Sequence, residues 1–304
     1  MEQFIHFKTI EDYHGLIKKE TLHPLVSVID FSKVTTKPSF EANSVKFNYG
    51  LYCIVLKDVK CGDIRYGKHT YDYQDGTLLF TSPGQVISVD FTPEEYKPKG
   101  FALLFHPDLI FGTTLGKNMH EYSFFSYQSN EALHLSKKER KLVIDCFKRI
   151  QNLLEQSIDK HSKRLLVSNI ELFLNYCVKF YERQFFTRDT ALIGSLEKFE
   201  FLLNEYFQQN KGSQYGIPSV AYFAGQLNLS IGYFGDLIKK QTGKTAKEYI
   251  QDKMIDWAKE RIFDPSKSIN QIAYELGFTY PQHFTRLFKQ KVGQTPKLYR
   301  CSLN

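Results

Sequence analysis

The chain lacks most of the features that mark other protein classes. Its 304 residues include five cysteines, Cys53, Cys61, Cys146, Cys177 and Cys301, an odd number with no C-x-x-C pair. That pattern offers no zinc spacing and fits a reducing cytoplasm better than a disulfide scaffold. No apolar stretch approaches the roughly 18 residues needed to span a bilayer. The start, Met1-Glu2-Gln3-Phe4, has neither a basic n-region nor an apolar h-region, so no secretory leader is expected. Nucleophile elbows, phosphate loops and paired-carboxylate motifs are absent. His69, His106, His120 and His134 are scattered, with no H-x-H or similar ligand spacing, so they read as surface or satisfied core histidines. The expectation is therefore a protein that is not an enzyme, with no metal, cofactor or membrane span.

Net acidity is missing too, and the positive surplus is localised. Residues 211–304 carry 14 Lys and Arg against 7 Asp and Glu, whereas residues 1–210 balance at 26 against 26. The whole formal charge of +7 thus lies in the last 94 residues. Clustered cations attract a polyanion, because each neutralised phosphate releases condensed counterions. A solvated basic face with no partner is the alternative that charge alone leaves open.

At 42% apolar and 15% aromatic, the chain can bury a core, and its length suits about two domains. Residues 20–105 read as short strands, such as Leu51–Leu56, Thr77–Phe80 and Val86–Val89, separated by turns at Cys61-Gly62-Asp63, Asp75-Gly76 and Ser82-Pro83-Gly84. Such punctuation predicts a small barrel or sandwich. Tyr49, Tyr52, Tyr66, Tyr71 and Tyr73 suit either its core or a ligand pocket. The pattern changes at Ser136, which with Glu139 forms a capping box. Val143, Cys146, Phe147, Ile150, Leu153 and Leu154 then recur at helical spacing, followed by Leu166, Ile170, Phe173, Leu174, Cys177 and Tyr181. These two helices pack on the strands, on each other, or on a second copy. A third stripe, Leu196, Phe199, Leu202, Leu203 and Tyr206, opens the C-terminal part, and Gln209–Ser213 is expected to end that helix. The domains read as 1–135, 136–190 and 191–304.

The C-terminal part repeats itself. At an offset of 50, Phe234–Tyr249 aligns with Phe284–Tyr299 with seven of 16 positions identical. Upstream the offset becomes 49, pairing Ala224 with Ala273 and Leu227 with Leu276. Each copy, about 218–243 and 268–293, reads as a short helix with a small contact residue, a turn, and a second helix ended by Gly243 or Gly293 in a positive-φ conformation. Ser230 caps the second helix of the first copy, and Ser268 with Gln271 boxes the start of the second copy. Between them, Thr245 and Glu248 cap a long helix with the stripe Ile250, Met254, Trp257, Ala258 and Ile262, stopped at Asp264-Pro265. This is the plan of two helix-turn-helix units, each offering its second helix to a major groove.

The run Ile269–Phe278, with Phe284–Lys289, Gly293–Pro296 and Tyr299-Arg300, resembles the AraC/XylS family of bacterial transcription regulators over about 195–300. The resemblance implies a seven-helix, two-headed DNA-binding domain and a cupin-like N-terminal barrel that senses a ligand or dimerises. Gly76–Gln85 is loosely similar to a turn of such barrels. The fold class expected is α+β: a small cupin-like β-barrel, two amphipathic helices, then an all-α domain of two units joined by a long helix. In the second unit, Pro281, Gln282, Thr285, Arg286 and Lys289 are the expected DNA-facing positions. Gln pairs with adenine and Arg with guanine through two hydrogen bonds each, or either holds a phosphate. The first unit offers Ser230, Gly232, Tyr233, Gly235, Asp236 and Lys239. Its glycines carry no reading group and its Asp repels phosphate, so contact there is expected from Tyr233 or Lys239, with a phosphate at Ser230. The implied partners are double-stranded DNA, a small-molecule effector whose binding residues stay unassigned, a second copy of the chain and, for an activator, RNA polymerase. The competing readings are a cupin-like enzyme or ligand-binding protein with a helical appendage, and a non-specific architectural DNA binder.

Overall fold

The computed structural model describes residues 3–34, 44–57, 64–66, 69–71, 76–90, 99–128, 131–187 and 189–301. Cys61, Asp75 and Tyr73 lie outside them. The chain divides into two compact units, Met1–Phe186 and Thr187–Asn304.

The first unit runs β1 (Gln3–Phe7), α1 (Ile10–Ile17), β2 (Val26–Asp30), β3 (Ser44–Tyr49), β4 (Tyr52–Lys57), β5 (Ile64–Tyr66), β6 (His69–Tyr71), β7 (Thr77–Thr81), β8 (Val86–Asp90) and β9 (Gly100–Phe105). Then come α2 (Pro107–Ile110), α3 (Thr114–Asn118), β10 (Leu133–His134), α4 (Lys137–Leu154) and α5 (Ser162–Thr187). The strands form two five-stranded sheets, ordered β1-β3-β8-β5-β6 and β10-β7-β4-β9-β2. Among the described residues the sheets do not join into the closed barrel expected from the sequence. The Ser82-Pro-Gly turn carries the chain from β7 in one sheet to β8 in the other, so these two strands do not pair.

Strand β4 lies inside its sheet, antiparallel to both β7 and β9. Its run Tyr-Cys-Ile-Val-Leu-Lys is buried on both faces, as a central strand requires. Helix α1 begins at a Thr9/Asp12 capping box and buries Ile10 and Ile17 with Ile29, Leu51 and Leu104. It also buries His14, held by Thr21 Oγ1 at 2.7 Å and Ser27 Oγ at 2.8 Å. Burial, then the nearby Lys19 charge, pulls His14 down from 6.5 to about 4.

The Ser136/Glu139 box starts α4 as read; of its stripe Val143, Cys146, Phe147 and Ile150 are buried while Leu153 and Leu154 are half-buried, and the stripe of α5 is buried throughout. The Glu139 carboxylate also takes a bidentate pair from Arg183 of α5, at 2.9 and 2.8 Å. Gln184 accepts from His134 N–H and donates to Ala132 C=O, so the end of α5 hydrogen-bonds the β10 edge like a further strand. A buried backbone edge thereby finds its partners.

The second unit is all helix: α6 (Asp189–Gln208), α7 (Lys211–Tyr215), α8 (Val220–Gln226), α9 (Ile231–Thr242), α10 (Ala246–Ile262), α11 (Ile269–Glu275), α12 (Pro281–Val292) and α13 (Pro296–Cys301). The third stripe packs as expected, with Phe199, Leu203 and Tyr206 buried. Residues 209–213 do more than end α6. They break it at Asn210, in a left-handed conformation, and start the short α7.

Candidate nucleic-acid interface

The two repeated units match in backbone detail. In the turn between α8 and α9, Asn228 has φ 55, and in the turn between α11 and α12 its counterpart Gly277 has φ 90. After each, an amide reaches back to the small contact residue: Leu229 N–H to Ala224 C=O at 2.9 Å, and Phe278 N–H to Ala273 C=O at 3.0 Å. Ala224 and Ala273 are buried, leaving room for the second helix of each pair. The positive φ reverses the chain within a few residues, which places α9 across α8 and α12 across α11. Gly277 is fixed twice over, since a Cβ there would overlap the Gly216 carbonyl. Asn228 tolerates the left-handed region as few other side chains do.

Capping follows the sequence pattern. Ser230 accepts from Tyr233 N–H at 3.1 Å, and complete boxes form at Thr245/Glu248 and Ser268/Gln271. Helix α12 starts instead with Pro281 at its first turn, where a missing N–H costs nothing. Gly243 and Gly293 stop α9 and α12 at φ 73 and 88. Phe234, Phe284 and Phe288 turn one face of each second helix into a shared core with Ile250, Met254 and Ile262 of α10.

The opposite face of α12 is open. Gln282, Arg286 and Lys289 are exposed and Thr285 is half-buried. Their spacing of three, four and seven puts these side chains on one stripe. His283 and Gln290 flank it, and with Arg286 they border a cavity of about 260 Å³ against Gln251 and Met254 of α10.

A profile of the helix-turn-helix domain family matches residues 223–302, from the middle of α8 through α13. Residues 223–302 are a helix-turn-helix domain of the AraC type. The chain is also similar to bacterial transcriptional regulators. It is 35% identical over 71 residues to YobQ, an HTH-type transcriptional regulator of Bacillus subtilis, covering 23% of this chain and 30% of that protein. It is 27% identical over 150 residues to YfiF, an HTH-type transcriptional regulator of the same organism, covering 49% and 44%. The matched segments thus span less than half the length of either relative. Among solved structures, the C-terminal domain of the response regulator yesN from Fusobacterium nucleatum is 26% identical, covering 35% of this chain and 98% of that one at a TM-score of 0.32.

Within the AraC-type domain the two second helices differ. In α9, Gly232, Gly235 and Asp236 are half-buried and Lys239 is exposed. Tyr233 is 2% exposed because its position in α9 turns toward the core, which leaves Lys239 as the exposed one of the two contacts expected there. Ser230 is 8% exposed, and its side-chain oxygen caps the Tyr233 amide. The space around Gly235 is empty, with no atom within 4 Å of where a Cβ would stand. The bare surface of α9 therefore reflects missing side chains and no crowding.

Several contacts that shape this domain are invisible in the sequence because they join distant residues. Arg300 Nε donates to Ile262 C=O at 2.7 Å and its Nη2 to Lys267 C=O at 2.9 Å, closing the end of α10. Glu275 accepts from Arg261 at 3.1 Å and is ion-paired to Lys267. Asp252 pairs with both Lys244 and Lys291 at 2.8 Å. Partial burial raises the Asp252 carboxyl, and the two ammonium groups more than offset this, leaving it below its ordinary value.

The histidines weighed as ligands have local partners. His106 caps α2 through Asp108 N–H, His120 Nδ1 lies 3.0 Å from Lys117 C=O, and His134 Nδ1 lies 3.4 Å from Thr77 Oγ1. His69 falls in β6, whose side chains are outside the description. Among the described residues, no three His, Cys, Asp or Glu gather as a metal site, and no helix is long and apolar enough to cross a membrane.

Proposed function

We propose that this chain is a sequence-specific DNA-binding transcription regulator whose principal reading element is α12. The observation that carries this is the stripe of exposed Gln282, Arg286 and Lys289, with half-buried Thr285 among them, on the second helix of an AraC-type unit. Gln282 and Arg286 read base edges, and Lys289 holds backbone phosphate. Pro281 sets the start of the helix that carries them. The first unit contributes mainly through Lys239 and the backbone at Gly232 and Gly235, with Asp236 accepting locally or from a cytosine amine. Two heads joined by α10 read major-groove segments roughly one turn apart.

In this reading residues 1–135 form a cupin-like sensor for a small-molecule effector, 136–190 link it and support a homodimer, and 191–304 bind DNA. The regulator acts in the cytoplasm and contacts RNA polymerase where it activates. A second reading, a non-specific architectural binder, draws on the bare face of α9.

Selection from a pool of random duplex DNA at near-physiological salt separates the two. The regulator retains sequences with one strong block and a weaker block about one turn away. Salt-sensitive retention without any motif favours the architectural binder, and no retention by folded protein at any salt refutes DNA binding.

A further inference from the structure

We infer that Asp252 is a positioning residue that fixes the relative aim of the two reading helices; the inference rests on the two-headed reading above. Asp252 lies in the second turn of α10, the helix that joins the two units. One of its carboxylate oxygens takes the Lys244 ammonium and the other takes Lys291, each at 2.8 Å. Lys244 directly follows Gly243, the residue that stops α9. Lys291 lies in the last turn of α12. One carboxylate therefore ties the C-terminal ends of both reading helices to the connector.

Those ends are the right ones for a positioning role. In a helix-turn-helix the N-terminal part of the second helix meets the bases, so its C-terminal end points away from the groove. A 12-residue helix is about 18 Å long, so a pin at the far end governs where the reading end points. Glu248 and Asp256 add a weaker through-space pull on the bracket lysines, but Glu248 hydrogen-bonds Thr245, and Lys253 faces Glu200 at 3.7 Å. The repeat itself does not supply the bracket. By the offset of 50, Lys244 corresponds to Gln294 and Lys291 to Gln241, so the two lysines have no charged counterparts. The bracket belongs to the joining of the two copies, not to the fold of either. Exposed ion pairs add little to global stability, so the consequence of this one is geometric.

The test uses the full chain and duplexes built on the two-block motif from the selection, with the native spacing, with one base pair added, with one removed, and with the strong block alone. One added base pair displaces the second block by about 3.4 Å and rotates it by roughly 35°. Wild type, Asp252→Asn and Asp252→Glu are titrated by fluorescence anisotropy, with thermal melting as a folding control and Lys291→Gln as a second variant. The expected result is that Asp252→Asn binds the single block within about twofold of wild type. Its penalty for altered spacing should shrink by about fivefold, Lys291→Gln should behave alike, and Asp252→Glu should restore the penalty. A wild-type spacing penalty in folded Asp252→Asn overturns the inference, as does an equal loss on single-block and two-block DNA. If wild type itself shows no spacing penalty, the two-headed reading fails first and takes this inference with it.

Discussion

Replacing Gly235 with alanine should stabilise the helical unit. Gly235 is the fifth residue of the 12-residue α9 and is not among the glycines with positive φ. A Cβ there meets no atom within 4 Å, so the methyl group introduces neither strain nor overlap. Glycine inside a helix costs about 0.8–1 kcal/mol relative to alanine, chiefly through the freedom it retains when unfolded. The methyl group is partly solvated and adds little by burial, so the expected gain is about 0.5–1 kcal/mol. For a unit spanning residues 187–304 this corresponds to a rise in Tm of roughly 2–4 °C. A selective reporter is built in. Trp257, the single tryptophan of the chain, lies in α10 against Phe207 and under the Arg261 guanidinium at 3.8 Å. Its fluorescence follows the second unit without contribution from the first. A thermal or urea midpoint that stays fixed or falls would refute the reasoning, because it would mean that α9 is not helical at Gly235 or that something fills the space beside it. The strong DNA block should be read unchanged, since α12 is untouched.

Other consequences follow from the same geometry. Gly277→Ala should have the opposite sign, costing roughly 2–5 kcal/mol, since φ 90 disfavours a side chain and its Cβ would meet the Gly216 carbonyl. Arg286→Ala should weaken binding to the strong block by about 1–3 kcal/mol and relax the sequence at one position, whereas Lys289→Ala should weaken all sequences alike and reduce the salt slope by about one. Anisotropy across a salt series distinguishes them, and a uniform loss from Arg286→Ala would make that residue a phosphate contact. His14 gives a pH signature in the first unit. Its folded value of about 4 lies below the ordinary 6.5, so the unfolded chain takes up the proton first. Its contribution is whole above pH 6.5, is lost as pH falls from 6.5 to 4, and amounts to at most about 3 kcal/mol. His14→Gln should flatten that part of the stability profile measured by circular dichroism, and an unchanged profile would show that His14 is not the group responsible.

Much of the helical unit was legible in the sequence because its determinants are local. Ser230, Thr245 and Ser268 cap the amides three residues on, Gly243 and Gly293 stop helices by their own backbone freedom, and the phenylalanines recur at helical period. A repeat at an offset of 50 then doubled each signal. Strands β4, β7 and β8 were readable for the same reason, as short apolar runs between turns. Helix α1 is only eight residues long and carries too short a stripe to mark itself, its Thr9/Asp12 box being its main local signal. Partnership was not legible. Strand pairing joins residues far apart, and the two sheets formed by the described residues depend on which edges meet. The orientation of Tyr233 toward the core depends on what packs around α9, which no local pattern in the chain records. The Asp252 bracket lies 39 residues from one of its lysines, beyond any periodic signal. Local hydrogen bonding and periodicity are written residue by residue, and they determined the elements and the exposed stripe on α12. Only the tertiary structure decided which side chains are withdrawn into the core and which charges meet, because burial and ion pairing depend on distance in space and not along the chain.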